Sequence, residues 1–320
     1  MRVRVLVLGA GGFIGRRIVT ALAAGGWARP VAAGRHSASL PGGEGVEVRA
    51  LDATDPEGLA PVLEGVGAVV NCVAGSAPNI VSAARVLFAT AARCAAPPRI
   101  VHLSSLAVYG SARGEVDEST PLSGTREPYG AAKLVAEQLA LSYPRAVILR
   151  PGIVYGPASP WWSDRIARLL VARRLGDLGA AAQGVCNLVH VNDVAEAVVR
   201  SVRAADVEGQ IFNLALPQPP TWNEYFRRYA QALGATPLRR ISGSRLAFEL
   251  ALRGPLLKLT EMLGRSGGAP PLRPWLLRLC RHDITMRAQR IVQALGLAWT
   301  PLDGGLAGTA AWFLEGNRTA

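Results

Sequence analysis

The chain has 320 residues, half of them hydrophobic, and its 35 basic and 23 acidic side chains give a net charge of +12. This length allows one or two domains with a large buried core. No uninterrupted run of about 18 apolar residues occurs, which excludes an ordinary transmembrane helix, and the scattered four cysteines and four histidines argue against disulfides and a metal site. We expect a cytoplasmic protein with free thiols.

Apolar runs alternate with helical patterns through the first two thirds of the chain. Continuous apolar runs are typical of strands buried on both faces, and the helices between them indicate βαβ units. We therefore predict an α/β fold with a Rossmann-type, doubly wound parallel sheet. The predicted strands are residues Val3–Leu8, 30–33, 46–50, 68–72, 100–103, 146–149 and 185–191.

A glycine-rich turn follows the first predicted strand and begins a helical pattern. In this setting, a Gly-x-x-Gly-x-x-Gly spacing is typical of a dinucleotide-binding site. Its glycines allow a tight turn, close approach of a pyrophosphate, and packing of the helix on the strand. The start of the helix offers N–H groups and a positive dipole to the phosphates. The predicted cofactor contacts in this turn are Gly9, Gly11, Gly12, Phe13, Ile14 and Gly15.

The ends of the second and third predicted strands indicate which dinucleotide binds. Arg35 and Ser37 stand where an NAD-preferring protein has an acidic residue for the ribose 2′-hydroxyl, and an arginine there suits a 2′-phosphate. We therefore favour NADP(H), with NAD as the alternative. We expect Asp52 and Ala53, after the third strand, to contact the adenine. The alternative for Asp52 is a helix cap before Pro56.

Only two of the basic residues are lysines, and one of them, Lys133, lies four residues after Tyr129. Residues at this spacing share one face of a helix, so the ammonium and the phenol would point into the same space. We expect the ammonium to lower the phenol pKa from its usual value of about 10. Tyr129 would then exchange protons near neutral pH. The alternative is an ordinary exposed Tyr/Lys pair on a helix.

The alternation of apolar runs with helical patterns ends near residue 156, where prolines and two tryptophans interrupt it. We predict a Rossmann domain over residues 1–155, with a return segment near 185–205. Residues 156–184 and 206–320 would form a smaller, mostly helical substrate domain. Trp161 and Trp162 line the substrate pocket or pack between domains, and both interpretations stay open.

The last quarter of the chain carries much of the charge, since residues 239–320 hold 12 basic and 5 acidic side chains. We interpret this charge as a solvated surface and expect no nucleic-acid partner, because no recognition motif accompanies it. Residues 246–263 are apolar but interrupted by charge. We favour an amphipathic core helix pair there. The alternatives are a cover over an apolar substrate and peripheral contact with a membrane surface.

Seven segments, in order along nearly the whole chain, resemble the extended short-chain dehydrogenase/reductase family of the NAD(P)-dependent epimerase/dehydratase type. The C-terminal part is similar to the 3β-hydroxysteroid dehydrogenase-like branch. The segments are Gly9-x-x-Gly12-x-x-Gly15, Asn71-Cys-Val-Ala-Gly75, Asn79, Ser104-Ser-Leu-Ala-Val-Tyr-Gly110, Tyr129-x-x-x-Lys133, Arg150-Pro-Gly-Ile-Val-Tyr-Gly-Pro157 and His190-Val-Asn-Asp193-Val-Ala.

The resemblance implies a role for each matching residue. Ser105 would be the catalytic serine, Tyr129 the proton carrier, and Lys133 the ligand of the nicotinamide ribose. The family often pairs through two long helices, which implies a homodimer through residues 81–96 and 131–141. Further cofactor contacts implied by the resemblance are Ala74 and Gly75 after the fourth strand, and Pro151 and Val154 in the loop at 151–154.

The leading hypothesis is an NAD(P)-dependent oxidoreductase that interconverts a small-molecule secondary alcohol and a ketone. Leu106 and Ala107 follow Ser105 where the family's nucleotide-sugar 4,6-dehydratases have two acidic residues, so dehydration is not expected. One alternative is a nucleotide-sugar epimerase with tightly bound NAD, and a remote one is a non-catalytic dinucleotide-sensing protein. In the epimerase, the diphosphate would be held by Arg165, Arg168, Arg173 or Arg174.

Overall fold

A seven-stranded parallel sheet organises the first part of the structure, a computed structural model that describes residues 2–122, 127–249, 251 and 270–318. In space the strands run β3-β2-β1-β4-β5-β7-β10, so the order reverses between β1 and β4. Ligands of such sheets bind at this reversal, beyond the carboxyl ends of the strands. The strands are β1 (Val3–Leu8), β2 (Ala28–Gly34), β3 (Glu47–Ala50), β4 (Ala68–Asn71), β5 (Arg99–Leu103), β7 (Ala146–Pro151) and β10 (Ile211–Leu214).

Helices cover both faces of this sheet, which explains why its central strands are continuously apolar. Val5, Leu6 and Val7 of β1 are completely buried. One face carries α1 (Phe13–Ala24), α6 (Val191–Arg203) and α10 (Gln289–Leu295), and the other carries α2 (Pro56–Leu63), α3 (Ala77–Ala91) and α4 (Pro128–Leu141).

A second apolar core, rich in aromatic residues, lies among the helices of the later part of the chain. Trp222, Tyr225 and Tyr229 of one helix are completely buried within it. Two small parallel sheets join this part to the large sheet: β8 (Ile153–Tyr155) with β9 (Leu188–His190), and β6 (Gly114–Val116) with β11 (Ile284–Met286). The helices are α5 (Arg165–Val171), α7 (Trp222–Ala232), α8 (Gly243–Phe248), α9 (Pro274–Cys280) and α11 (Leu302–Arg318).

The predicted fold class is confirmed, and six of the seven predicted strands lie in the large sheet within a few residues of their predicted bounds. The strand expected at 185–191 is the exception, because β9 pairs with β8 outside the large sheet. The seventh strand is instead β10, which pairs with β7. The two-domain division stays a prediction, and we move its second boundary to a position after β10.

Other expectations concern membrane contact, the segment 246–263 and the dimer. Within the described ranges, no helix combines the length and hydropathy that crossing a bilayer requires. Most of the segment 246–263 lies outside the described residues. Helices α3 and α4 pack side by side on one face of the sheet, and the homodimer through them stays a prediction.

A tight contact between α11 and β8 generates a stability prediction. A Cβ added at Gly305 would lie 2.3 Å from the Tyr155 hydroxyl oxygen, and the Tyr155 ring is completely buried. We expect Gly305→Ala to lower the free energy of unfolding by about 1–3 kcal/mol, as overpacking of a core does.

The matched control is Gly308→Ala in the same helix, because nothing lies within 4 Å of a Cβ built there. This variant should be stabilised by up to about 1 kcal/mol, since alanine favours a helix over glycine. Urea unfolding of both variants measures the difference. Equal free energies of unfolding for the two variants would contradict the tight contact between Gly305 and Tyr155.

Candidate active site

The glycine turn after β1 forms a cradle of the kind that binds a pyrophosphate. Gly9 has a φ of +77°, which favours glycine. A Cβ at Gly15 would lie only 2.3 Å from the Gly9 carbonyl oxygen, so α1 can approach the turn only without a side chain there. No side chain among the described residues caps the start of α1. Its first N–H groups are therefore available to an anion, and the turn fits a dinucleotide.

The residues expected at the adenosine end lie near one another at the same edge of the sheet. Arg35 follows β2 and is exposed. The pKa of Asp52 is lowered, first by the backbone and hydroxyl hydrogen bonds from Thr54 and also by the charge of Arg35. The helix cap before Pro56 is Asp55, which accepts a hydrogen bond from the Glu57 N–H, and not Asp52. The contact of Asp52 with the adenine stays a prediction.

The Ser105 and Tyr129 side chains meet, as the resemblance implies. Ser105 begins a single 3-10 turn at Leu106–Tyr109 and accepts a hydrogen bond from the Ala107 N–H. Its hydroxyl also lies near enough to that of Tyr129 to oppose the rise that burial causes in the pKa of the phenol, although the Tyr129 residue as a whole is 45% exposed. The neighbouring Ser104 is buried and bonds elsewhere, to Glu137. Ser105 is thus the serine whose oxygen faces the phenol.

Lys133 lies beneath this pair and is 4% exposed, which excludes the alternative of a surface Tyr/Lys pair. Its ammonium donates to the Leu103 carbonyl at the end of β5 (2.8 Å) and contacts the Val73 carbonyl after β4 at 3.5 Å. Burial lowers the pKa of Lys133 to about 8, and the charge of Cys72 opposes this shift.

The expected lowering of the Tyr129 pKa is wrong. Burial of the hydroxyl raises its pKa, and the nearby Ser105 hydroxyl only partly opposes this rise. The physical reason is the direction of the Lys133 side chain, whose ammonium bonds backbone carbonyls at the strand ends. Helical spacing placed both side chains on one face but did not determine where each head group points.

The remaining predicted contacts follow the other strand ends at the carboxyl edge. Ala74 and Gly75 are exposed after β4, and Gly75 has a φ of +123°. Pro151 ends β7, and Val154 lies in β8 just beyond it; both are buried. The edge therefore brings these residues to the same side of the sheet as the glycine turn. Their contacts with a cofactor stay predictions.

Sequence reasoning missed a buried ion pair behind the site. Arg150 of β7 and Glu137 of α4 are 2.5 Å apart, and their side chains are 2% and 0% exposed. A signal was present, because Glu137 follows Lys133 by four residues and Tyr129 by eight, which puts an acidic side chain on the same helical face. Arg150 likewise interrupts an apolar strand.

The sequence profile of the NAD dependent epimerase/dehydratase family matches residues 5–215. The chain belongs to this family. It is 18% identical to a solved structure of dTDP-glucose 4,6-dehydratase from Bacillus anthracis in complex with NAD, with a TM-score of 0.75 over 99% of this chain and 98% of that one. At this identity, the likeness establishes the fold.

Three relatives are similar in sequence. Protein YeeZ of Escherichia coli K12 is 32% identical over 145 residues, 44% of this chain and 48% of YeeZ, so the match spans about half the length of that relative. The 2′-dehydrokanamycin reductase of Streptomyces kanamyceticus is 29% identical over 72% of this chain and 67% of its own length. The ceramide reductase of Caulobacter vibrioides is 28% identical over 73% of this chain and 71% of its own length.

Lys133→Met tests the buried ammonium through the pH dependence of stability. The pKa of Lys133 is about 8 in the folded chain, against about 10.4 for an unperturbed lysine. Between these two values the unfolded chain binds more protons than the folded one. The stability of the unsubstituted protein should therefore rise with pH relative to the variant, by at most about 1.4 kcal/mol per pH unit.

Urea unfolding between about pH 7 and pH 10 measures this difference in the cofactor-free protein. The difference should stay constant below the folded pKa and then move in favour of the unsubstituted protein. A constant difference over the whole range would mean that Lys133 titrates with an ordinary pKa in the folded chain.

Proposed function

We propose that this protein is an NADP(H)-dependent oxidoreductase that interconverts a secondary alcohol and a ketone. The observation that carries the proposal is the proximity of the Ser105 and Tyr129 hydroxyls, together with the buried Lys133 one helical turn after Tyr129. These groups lie at the carboxyl edge of the sheet, on the same side as the glycine turn, where a nicotinamide and its substrate would meet. Two of the similar relatives are named reductases.

Each of these residues has a distinct chemical role in the reduction. Bound NADPH would supply the hydride that the carbonyl carbon accepts. Tyr129 donates its phenolic proton to the carbonyl oxygen, and Ser105 hydrogen bonds to that oxygen as negative charge develops on it. Lys133 would hydrogen bond to the nicotinamide ribose of the bound cofactor, as the family resemblance implies. In the oxidation direction the proton returns from the alcohol to Tyr129.

The choice of NADP(H) is supported by the charge at the end of β2. Arg35 is exposed, and its charge lowers the pKa of Asp52. A guanidinium here matches the doubly charged 2′-phosphate, to which it can bond through two N–H groups. Asp52 is acidic and lies near enough to Arg35 for the Asp52 pKa to respond, so a negative charge is also present at this end of the site. NAD therefore stays the competing cofactor.

The nucleotide-sugar epimerase is less well supported, because most arginines proposed for its diphosphate are engaged within the protein. Arg168 pairs with Asp164 at 3.0 Å, and Arg174 pairs with Glu249 at 2.7 Å. Arg165 donates to the Pro271 carbonyl and stacks over Trp161, 5.6 Å from the ring centroid. Ser105 is not followed by the two acidic residues that dehydration requires. The first of these positions holds Leu106, which packs against two apolar clusters.

An apolar ketone is supported by exposed aromatic side chains on the C-terminal part of the chain. Trp161 is 50% exposed and meets Trp275 edge to face at 6.1 Å. Trp275 lies on α9, and Arg278 of that helix is 3.4 Å from Glu127, the residue before α4. Tyr129 lies two residues further along, so this ion pair joins the tryptophan-bearing helix to the start of the helix that carries Tyr129. Such rings offer a flat surface to an apolar substrate.

Purification of the protein with its retained dinucleotide separates the two enzymatic functions. A reductase should release its cofactor, oxidise added NADPH in the presence of apolar ketones, and exchange labelled for unlabelled dinucleotide. Tightly held NAD that does not exchange, together with interconversion of two nucleotide sugars, would favour the epimerase and overturn the proposal.

Tyr129→Phe tests the proton carrier, because it removes only the hydroxyl group. We expect kcat for ketone reduction to fall by at least about 10²-fold, the usual contribution of a general acid, while NADPH affinity stays within about twofold. The matched control is Tyr143→Phe, since the Tyr143 hydroxyl bonds the Pro98 carbonyl at 2.7 Å, away from this edge. Steady-state kinetics and NADPH fluorescence titration measure both quantities. Full activity of Tyr129→Phe would reject this role.

Arg35→Asp tests the cofactor assignment. The substitution should shift the ratio of kcat/KM for NADPH over NADH towards NADH by about tenfold or more, because a hydrogen bond to a charged group contributes about 1.5–3 kcal/mol. Arg29→Asp on the same strand is the control, since the Arg29 side chain is 64% exposed and pairs only distantly with Glu47. An unchanged ratio in Arg35→Asp would contradict the assignment.

A further inference from the structure

A cluster of buried polar groups connects three segments that carry site residues. Glu137 is its centre, on α4 four residues after Lys133 and eight after Tyr129. Arg150 donates to Glu137 from Nε at 3.1 Å and from Nη2 at 2.5 Å. The Ser104 hydroxyl donates to the other carboxylate oxygen. The Glu137 carboxylate therefore receives hydrogen bonds from two different strand ends.

The two residues that donate to Glu137 each lie next to a predicted site residue. Ser104 immediately precedes Ser105, and Arg150 immediately precedes Pro151. One carboxylate thus joins the helix of Tyr129 and Lys133, the turn of Ser105, and the predicted nicotinamide loop. Each connection is a short, directed bond inside the protein, so a shift of one segment would stretch the bonds to the other two.

The cluster also extends towards the C-terminal part of the chain. Arg150 Nη1 donates to the Tyr109 hydroxyl at 2.9 Å, which donates to Asn213 Oδ1 of β10 at 2.7 Å. Asn213 Nδ2 in turn donates to the Arg287 carbonyl, just after β11, at 3.0 Å. The residues that follow β11 are therefore fixed relative to the same buried carboxylate.

Stability alone is a poor explanation for such a cluster. Taking two charges out of water opposes their attraction, and apolar residues of the same volume often stabilise a protein equally well. Apolar side chains pack without direction, whereas this arrangement fixes distances and angles among three segments. Displacement of a reacting group by about 1 Å can reduce a rate by about 10²-fold, so directed bonds here have a use beyond stability.

We infer that Glu137, held by Arg150 and Ser104, is a positioning residue that keeps Ser105, Tyr129 and Lys133 in their reactive arrangement. The inference rests on the proposed function for its catalytic readout. None of the three positioning residues touches the substrate. They act through the segments to which they are bonded, and the cluster is distinct from the groups that exchange protons with the substrate.

Ser104→Ala and Glu137→Gln test this inference in the full-length protein. Ser104→Ala removes one hydrogen bond and leaves the ion pair intact, so it should fold normally and lose about tenfold in kcat. Glu137→Gln breaks the charge pairing and should lose about 10²-fold in kcat. In both variants KM for NADPH and the affinity for 2′,5′-ADP, which reports the adenosine end, should stay within about twofold.

Glu249→Gln is the matched control, because Arg174 and Glu249 form a second ion pair whose side chains are 4% and 2% exposed. This variant should show a lowered melting temperature like that of Glu137→Gln but an unchanged kcat at temperatures where both are folded. Equal losses of kcat in the two variants, or unchanged kcat in Ser104→Ala and Glu137→Gln, would overturn the inference.

A second readout does not require turnover. The chain contains two lysines, so NMR of protein with labelled lysine side chains can follow Lys133 directly. Its pKa should stay near the value of about 8 in Glu249→Gln and rise in Glu137→Gln as α4 loosens. If the unsubstituted protein reduced no ketone, the proposed function would fail. An unchanged Lys133 pKa in Glu137→Gln would then separately overturn the positioning role.

Discussion

The candidate site depends on one buried charge, the ammonium of Lys133. Its hydrogen bond to the Leu103 carbonyl connects α4 to the end of β5, and its contact with Val73 reaches the segment after β4. A lysine buried this deeply has lost most of its hydration, and its lowered pKa reflects that loss. The same position brings Tyr129, one turn earlier, against Ser105. A charge held at the strand ends thus accounts for the position of the Tyr129 side chain.

The later part of the chain returns to this edge through side-chain bonds as well as through short strands. Asn187 donates to the Ile284 carbonyl and accepts from the Met286 N–H, both at 2.8 Å, so it bridges to β11. Its own carbonyl accepts from the Ile153 N–H at the start of β8. One asparagine therefore fixes β8 and the C-terminal strand together, which explains how a mostly helical part can be aligned with a Rossmann sheet.

Local sequence predicted the parts of the fold that local physics determines. Strands buried on both faces need continuous apolar runs, and β1, β2, β4, β5 and β7 have them. Strand β10 was missed because its central residue is Asn213, whose polar side chain is buried only because Tyr109 and Arg287 satisfy it. Strands β6 and β11 have three residues each and pair across about 170 positions, a contact that no local pattern encodes.

The candidate site likewise has features that local sequence predicts and features that depend on contacts between distant segments. Spacing identified the Tyr129/Lys133 pair and the glycine turn, because helical and turn geometry are local properties. The direction of the Lys133 ammonium, and with it the sign of the Tyr129 pKa shift, depends on carbonyls from distant strands. Glu137 went unnoticed because an acidic residue on a helix is ordinarily exposed, and its partner Arg150 comes from β7. Burial and pairing of this kind are properties of the assembled fold.

Transfer of deuterium tests the account most directly. The protein would be incubated with NADPH that carries deuterium at C4 of the nicotinamide and with an apolar ketone, and the alcohol product analysed by mass spectrometry. If hydride passes directly to the substrate in this site, one deuterium should appear at the carbinol carbon. With both C4 hydrogens of the NADPH replaced by deuterium, formation of unlabelled alcohol would contradict the proposed oxidoreductase, as would failure to form alcohol with any ketone while bound NAD stays in place.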